Sequence, residues 1–217
     1  MTLPKIAIVG GTGNLGSALA WRLARAGYPV VIGSRAADSA EAKASELGHG
    51  LTGATNADAA AAGEIVIVTV PFAAQAATYA EIRPLVAGKL VVDTTVPLMP
   101  PKVMRVQLPA AGSAAAIAAE ILGEGVRLTS AFHNVAAHKL AKDFEVACDI
   151  FVFGDDKEAR GEVVKLADAI GLRGVHAGAL VNSAAAEAMT SLLIFINKTY
   201  RVDGAGISIT GDLQPIA

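Results

Sequence analysis

Several classes of protein are excluded by what this 217-residue sequence lacks. A single cysteine, Cys148, rules out an internal disulfide framework and is typical of a reducing compartment. Only 18% of the residues are charged and the formal net charge is −2, so no basic surface for nucleic acid or anionic membranes is expected. The first strand is not preceded by a secretion signal, and the longest apolar runs are too short or too interrupted to span a bilayer. We therefore expect a cytoplasmic protein without nucleic-acid or membrane partners.

The usual acid–base and metal centres of dehydrogenases are also missing. None of the three tyrosines is followed four residues later by lysine, so the Tyr-x-x-x-Lys couple is absent. One cysteine and four scattered histidines are poor material for a zinc site, and we expect no metal. Reduction of a ketone usually needs a proton donor, whereas hydride transfer between two heterocyclic cofactors needs mainly that both rings be held face to face. The sequence favours the second kind of chemistry.

Hydrophobic residues, by contrast, are abundant. They make up 53% of the chain, and the segment 182–200 has no clear polar face. A helix that is apolar nearly all round must be buried. We expect this helix to pack against a second copy of the chain, with packing on its own sheet as the alternative.

Strands and helices alternate along the chain. This order predicts an α/β fold with a doubly wound parallel sheet. We expect one dinucleotide-binding domain over residues 1–217, in which residues from about 124 to 217 form a smaller C-terminal lobe. The predicted strands cover residues 6–9, 30–33, 65–70, 90–92, 126–131, 150–153 and 174–176. The predicted helices cover residues 14–26, 39–47 (with Asp38 as its N-cap), 56–62, 74–82, 113–122, 156–169 and 182–200.

A glycine-rich turn follows the first predicted strand. Gly11, Gly13 and Gly16 form a G-x-G-x-x-G pattern between an apolar run and an amphipathic segment. Such a turn provides a tight bend, a close approach of backbone to a pyrophosphate, and tight packing of helix on strand. The sequence therefore predicts a dinucleotide site at this turn.

The residues after the second strand indicate which dinucleotide is bound. An NAD site usually has Asp or Glu here to bind the ribose 2′-hydroxyl, whereas this chain has Ser34 and Arg35. A guanidinium suits a phosphate, so we expect NADP(H); the alternative is a solvated surface cation.

Six motifs together resemble the F420-dependent NADP reductases, and the resemblance covers nearly the whole chain. They are Gly10-Gly-Thr-Gly-Asn-Leu-Gly16, Ile32-Gly-Ser-Arg35, Thr69-Val-Pro71, Thr95-Val-Pro-Leu98, Ser130-Ala-Phe-His133 and Gly178-Ala-Leu-Val-Asn-Ser183. The resemblance implies a homodimer that moves hydride between NADP(H) and the deazaflavin coenzyme F420, and a C-terminal lobe that completes the acceptor site and the dimer interface.

The resemblance also implies roles for particular residues. Thr12, Asn14 and Leu15 would lie at the pyrophosphate, and Ser34 and Arg35 at the 2′-phosphate. The residues expected to line the nicotinamide side are Val70, Pro71 and Phe72. The residues expected to border the deazaflavin are Val96, Pro97, Leu98, His133 and Asn134.

His133 is the one candidate catalytic residue. It would hydrogen-bond the acceptor ring or help to move the proton that accompanies the hydride, and the alternative is a loop histidine that fixes the backbone. Two other functions stay open on the sequence. One is an NADPH-dependent reductase of a flavin, pterin, quinone or ferric chelate, and the other is a non-enzymatic NADP-binding redox sensor.

Overall fold

A computed structural model describes residues 2–214; residues 1 and 215–217, the ends of the predicted domain, lie outside the described residues. The chain forms a single eight-stranded sheet. Its strands are β1 (Ile6–Val9), β2 (Val30–Ser34), β3 (Thr52–Thr55), β4 (Ile65–Val68), β5 (Leu90–Asp93), β6 (Arg127–Ser130), β7 (Asp149–Gly154) and β8 (Arg173–His176).

Eight α-helices are described between and after these strands. They are α1 (Asn14–Arg25), α2 (Ala37–Leu47), α3 (Asn56–Ala62), α4 (Phe72–Ile82), α5 (Ala114–Leu122), α6 (Ala137–Leu140), α7 (Lys157–Ala169) and α8 (Ser183–Tyr200). Short 3-10 turns at Arg83–Leu85 and Leu180–Asn182 follow α4 and precede α8.

The strand order is β3-β2-β1-β4-β5-β6-β7-β8, and neighbouring strands from β3 to β6 are parallel. The order reverses between β1 and β4, where doubly wound sheets bind their ligands at the carboxyl ends of the strands. The predicted fold class is confirmed for this part of the sheet.

The last two strands depart from the parallel order of the rest of the sheet. β7 is antiparallel to β6, and β8 runs parallel to β7. The connection from β6 to β7 contains only the single-turn helix α6. It has no crossover helix, so the chain returns at the same edge and pairs in the opposite direction.

Several predicted boundaries are wrong. β3, a half-exposed edge strand, was not predicted because its sequence, Thr-Gly-Ala-Thr, has no apolar run. Asp38 is not an N-cap: α2 begins at Ala37, the N-cap position is Ala36, and Asp38 lies in the first turn. Ser113 and Asp156, in contrast, are N-caps. The sequence predicts that each is the first residue of a helix, but α5 and α7 begin one residue later, and the side-chain oxygens of Ser113 and Asp156 cap their amino ends.

The core has two apolar layers, one on each face of the sheet. Ile6 and Ile8 face one layer, with α1, α2 and α7, and Ala7 and Val9 face the other, with α3, α4 and α5. A strand buried on both faces reads as a continuous apolar run, which explains why the parallel strands were found from sequence.

The C-terminal helix α8 has an unusual distribution of side chains. Its buried residues include Ser183, Glu187 and Ser191, whereas Leu192 and Phe195 are 42% and 53% exposed. The single chain therefore buries only one side of this helix, and the expectation that a second copy covers the other side stays a prediction. With its preceding turn it is also long and apolar enough, by length and composition alone, to cross a membrane, although the structure packs one side of it on the domain.

Candidate active site

The glycine-rich turn joins β1 to the amino end of α1, as predicted. A Cβ atom on Gly16 would lie 2.5 Å from the Thr69 hydroxyl oxygen and 2.7 Å from the Cα of Gly11, so only glycine fits there. A Cβ on Gly13 would meet only the Gly10 carbonyl, at 3.5 Å. Nothing in the described protein fills the space beside Gly13, which leaves it for a ligand that approaches the backbone.

The amino end of α1 is suited to an anion. Gly13 is the N-cap and supplies no side-chain acceptor, and the first turn contains no acidic residue. The free N–H groups of Asn14 and Leu15 therefore lie at the positive end of the helix dipole, where phosphate groups bind. These features fit the pyrophosphate of a dinucleotide, and the residues predicted for it, Gly11 to Gly16, lie together at this turn.

Two residues that hold this turn were missed by the sequence analysis. The side-chain oxygen of Asn56, at the start of α3, accepts a hydrogen bond from the Gly10 amide at 3.0 Å. The Thr69 hydroxyl donates to the Val9 carbonyl at 3.0 Å. Thr69 follows the apolar strand β4, which the sequence predicts, whereas Asn56 follows β3, which it does not, so only Thr69 carried a local signal.

Ser34 and Arg35 follow β2, the neighbour of β1. Ser34 ends the strand and is half-buried, and Arg35 is exposed. Within residues 2–214 the Arg35 side chain takes part in no ion pair. A guanidinium beside the dinucleotide turn, without a carboxylate partner among these residues, is suited to a phosphate.

Val70, Pro71 and Phe72 follow β4, on the other side of β1. Pro71 is the N-cap of α4, and Phe72 begins that helix, two residues earlier than predicted. A Cβ on Gly10 would lie 2.7 Å from a methyl carbon of Val70, so this segment packs directly on the glycine-rich turn. β4 itself ends at Val68, not at Val70.

The segment 94–98 follows β5. The Thr94 hydroxyl donates to the Val68 carbonyl at 2.9 Å, and the Leu98 amide donates to the Val96 carbonyl at 2.7 Å. Pro97 is buried, and Val96 and Leu98 are half-buried. The first of these bonds ties this segment to the end of β4, beside Val70.

His133 follows β6 and is 7% exposed. Its Nε2 lies 2.7 Å from the Ser130 hydroxyl, and its ring lies 6.1 Å from that of Phe153. Burial lowers the pKa of His133 to about 3, so the imidazole is neutral at physiological pH. A neutral imidazole has one donor and one acceptor nitrogen.

Asn134 is held by the C-terminal helix. Its side-chain nitrogen donates to the Ala186 carbonyl at 2.8 Å and to the Thr190 hydroxyl at 3.1 Å. Thr190 in turn donates to the His133 carbonyl at 3.0 Å. Both protons of the Asn134 amide are used within the chain, and the sequence contains no local signal for these contacts because the partners are more than fifty positions apart.

The predicted site residues therefore lie in strand order along one edge of the sheet. Ser34 and Arg35 are at β2, the glycine-rich turn is at β1, and segments 70–72, 94–98 and 133–134 are at β4, β5 and β6. Neighbouring strands are about 4.8 Å apart, so these five strand ends form a continuous row of about 19 Å. Such a row suits an extended ligand and a second molecule beside it.

The fold and this row of residues define an α/β oxidoreductase that uses a nicotinamide dinucleotide. A family model described as coenzyme F420-dependent NADP oxidoreductase matches residues 5–97. The F420-dependent NADP reductase of Methanothermobacter thermautotrophicus is 42% identical over 219 residues, covering 95% of this chain and 94% of that protein. The reductase of the same name from Methanocaldococcus jannaschii is 38% identical over 221 residues, covering 95% and 98%.

A solved structure agrees with these sequence relatives. The crystal structure of a proposed F420-dependent NADP-reductase from Arthrobacter sp. FB24 has a TM-score of 0.84 and 24% identity, covering 96% of this chain and all of that one. At this identity the likeness shows the fold. The sequence relatives show the family: the chain belongs to the F420-dependent NADP reductases, and the resemblance found in its motifs is confirmed.

Proposed function

We propose that this protein transfers hydride between NADP(H) and coenzyme F420, with NADP(H) on strands β2, β1 and β4 and the deazaflavin beside β5 and β6. The observation that carries this proposal is Arg35, which forms no ion pair within residues 2–214, on the strand beside an uncapped helix end and in one row with the segments 94–98 and 133–134. The names of the curated relatives support both substrates. The balanced reaction is NADPH + F420 + H⁺ ⇌ NADP⁺ + F420H2.

The residues contribute by binding, orienting and excluding water. Bound NADP(H) supplies the hydride donor or acceptor at its nicotinamide ring. The N–H groups at the start of α1 and the Arg35 guanidinium would hold its phosphates, and Val70, Pro71 and Phe72 would form an apolar wall against the ring. Positioning of two rings supplies most of the catalysis in such a transfer.

His133 acts in this proposal as a neutral group. Because burial keeps its pKa near 3, an imidazolium does not form at working pH, and electrostatic stabilisation by a charged His133 is disfavoured. The ring either donates a hydrogen bond to the acceptor or passes a proton through its two nitrogens, with Ser130 as its fixed partner.

An anaerobic absorbance assay tests the proposed function. Catalytic amounts of protein with NADPH and F420 should bleach the deazaflavin band. Absence of bleaching, with NADPH binding verified separately, would contradict F420 as acceptor, and the same assay with flavin, pterin, quinone and ferric chelate would then identify the alternative.

We also propose that the protein is a cytoplasmic homodimer, and that residues from about 124 onward form a C-terminal lobe that supplies the dimer interface. The exposed apolar side of α8, with Leu192 and Phe195, supports this arrangement. The net charge of −2 and the polar inner side of the helix favour a second copy over nucleic acid or membrane. Light scattering should give a mass near 44 kDa, twice the 22.0 kDa of one chain; a monomer would contradict the proposal.

A further inference from the structure

Two carboxylic acids, Asp93 and Glu187, are buried beside the acceptor side of the site and were not predicted to have any role. Asp93 is 0% exposed and Glu187 is 1% exposed. Within residues 2–214 neither carboxylate forms a hydrogen bond or ion pair with Lys, Arg or His. Buried carboxylates without a cation are uncommon and need a physical reason.

Asp93 is the last residue of β5 and directly precedes the segment 94–98. It accepts hydrogen bonds from the Tyr79 hydroxyl at 2.9 Å and from the Thr95 amide at 3.3 Å. The Gln75 side-chain nitrogen donates to the Ala114 carbonyl at 2.9 Å and lies 3.4 Å from an oxygen of Asp93. Asp93 thus fixes the start of the acceptor segment, and Gln75 connects it to the first turn of α5.

Glu187 lies on the inner face of α8 and accepts hydrogen bonds at the other side of that same turn. Its two oxygens accept from the Ala114 amide at 2.6 Å and from the Ala115 amide at 3.1 Å, and the Ser183 hydroxyl donates to it at 3.2 Å. The carboxylate therefore fastens α8 to the amino end of α5. A helix amino end favours the ionised form of such a partner.

Helix α8 connects this contact to the far wall of the acceptor site. The Asn134 side chain donates to the carbonyl of Ala186, the residue before Glu187, and to the hydroxyl of Thr190, one turn after it, and Thr190 donates to the His133 carbonyl. The segment 133–134 is thereby tied to Glu187 by one rigid helix, and the segment 94–98 is tied to α5 by Asp93 and Gln75. Both walls of the acceptor site meet at the first turn of α5.

We propose that Glu187 is a positioning residue for the deazaflavin, and that its ionised carboxylate sets the spacing of the two walls by holding α8 on α5. This inference rests on the proposed function. Protonation removes an acceptor that faces two backbone N–H groups, so α8 is held less firmly and the acceptor side loosens. The dinucleotide side, built on β1, β2 and β4, makes none of these contacts.

The protonation of this group falls in the working range of pH. Burial raises the pKa of Glu187 to about 7, opposed by the Ala114 and Ala115 amides and reinforced by the charge of Asp93. The facing titratable groups are Asp93 on β5, whose pKa burial raises to about 6, and Tyr79 on α4, whose pKa burial raises well above its usual range. We therefore expect deazaflavin affinity to fall as the pH falls through about 7.

Equilibrium binding of F420 and of NADP⁺ to the whole protein, from pH 5.5 to pH 8.5, tests this role in wild type and in Glu187→Gln. The ratio of the F420 dissociation constants, variant over wild type, should fall from about tenfold at pH 8.5 towards one at pH 5.5, because the variant resembles the protonated wild type at every pH. Protonation of F420 itself changes both dissociation constants by the same factor and therefore cancels in the ratio. The NADP⁺ ratio should stay near one.

The matched control is Glu120→Gln, which neutralises an exposed glutamate on α5 and should leave both ratios at one. If Glu187→Gln does not fold, Ser183→Ala can replace it, because it removes one donor to the ionised carboxylate. In this variant the pH at which F420 affinity is half lost should be higher than in wild type. A ratio independent of pH, or an equal change for NADP⁺, would overturn the positioning role while hydride transfer persists. Absence of F420 binding by wild type would instead overturn the proposed function.

Discussion

The two halves of the site are built by different means. At the end of β1 the groups expected to face the pyrophosphate are mostly backbone, arranged by glycines and by one helix end that lie within a few positions of each other. On β5 and β6 the site depends on side chains from α4 and α8 and on backbone groups of α5, as in the bond between Asn134 and Thr190. The first half is a local motif, and the second is assembled only in the folded chain.

This difference also appears in the charges that each half buries. The dinucleotide half leaves a cation, Arg35, in solvent, where it costs little until a phosphate arrives. The acceptor half buries Asp93 and Glu187 with no cationic partner among residues 2–214, and desolvation raises the pKa of both. Burial of these carboxylates therefore lowers the stability of the fold while their hydrogen bonds fix the geometry of the acceptor half, as is common at functional sites.

Two glycine substitutions should separate folding from binding within the dinucleotide half. Gly16→Val should have the largest effect on stability of the substitutions considered. Gly16→Val places atoms within van der Waals contact of Thr69 and Gly11 and should lower the free energy of unfolding by about 3 kcal/mol. Gly13→Ala makes only an ordinary contact with the Gly10 carbonyl, at 3.5 Å, and should leave the melting temperature nearly unchanged, while NADPH binds about tenfold more weakly. Denaturant unfolding and NADPH titration measure both; equal stability of the two variants would contradict the packing role of Gly16.

Asp93→Asn should reveal the electrostatic strain of the acceptor half. The folded-state pKa of Asp93 is raised to about 6 from 3.8, so the folded state binds the proton more tightly than the unfolded state does. The contribution of Asp93 to the free energy of unfolding is complete at a pH below its pKa in the unfolded chain. It is lost as the pH rises through about 6, and the total loss is about 3 kcal/mol. Part of this loss has already occurred at pH 4, so the unfolding free energy of the variant, relative to wild type, should rise by about 2 kcal/mol from pH 4 to pH 7.

The opposing titration of His133 does not disturb this measurement. Its folded pKa is lowered to about 3, so its contribution to stability increases with pH between 3 and 6.5. That contribution is common to both proteins and cancels in their difference. A difference that is constant from pH 4 to pH 7 would mean that Asp93 is not strained.

Arg35→Ala should weaken the dinucleotide half alone. Loss of a guanidinium paired with the 2′-phosphate should cost about 1.5–3 kcal/mol of NADPH affinity and leave NADH affinity unchanged. Arg83→Ala, at an exposed position near the far end of α4, is the matched control. Unchanged NADPH binding by Arg35→Ala would show that Arg35 is only a surface cation.

The same division explains what could be predicted from the sequence. Glycine spacing, apolar strands and Ser34-Arg35 are local signals, so the parallel strands other than β3 and the dinucleotide turn followed from them. The antiparallel β7, the carboxylates Asp93 and Glu187, and the polar inner face of α8 were missed, because each depends on which distant elements meet. Asn56 lies between these cases, since it follows a strand that was itself too short and polar to predict.

Asn134→Ala should complement Arg35→Ala, by weakening only the acceptor half. The substitution removes the bonds to Ala186 and Thr190 and should lower the unfolding free energy by about 1–2 kcal/mol, because a buried carbonyl loses its donor. We expect a higher KM for F420 and an unchanged dissociation constant for NADPH, the reverse of the Arg35→Ala pattern. Asn182→Ala, which removes an exposed amide bond to Ala177 just before the same helix, should change neither. If Asn134→Ala and Arg35→Ala weakened both ligands alike, the two halves would be one cooperative unit, and the contrast between a local motif and an assembled wall would have no energetic meaning.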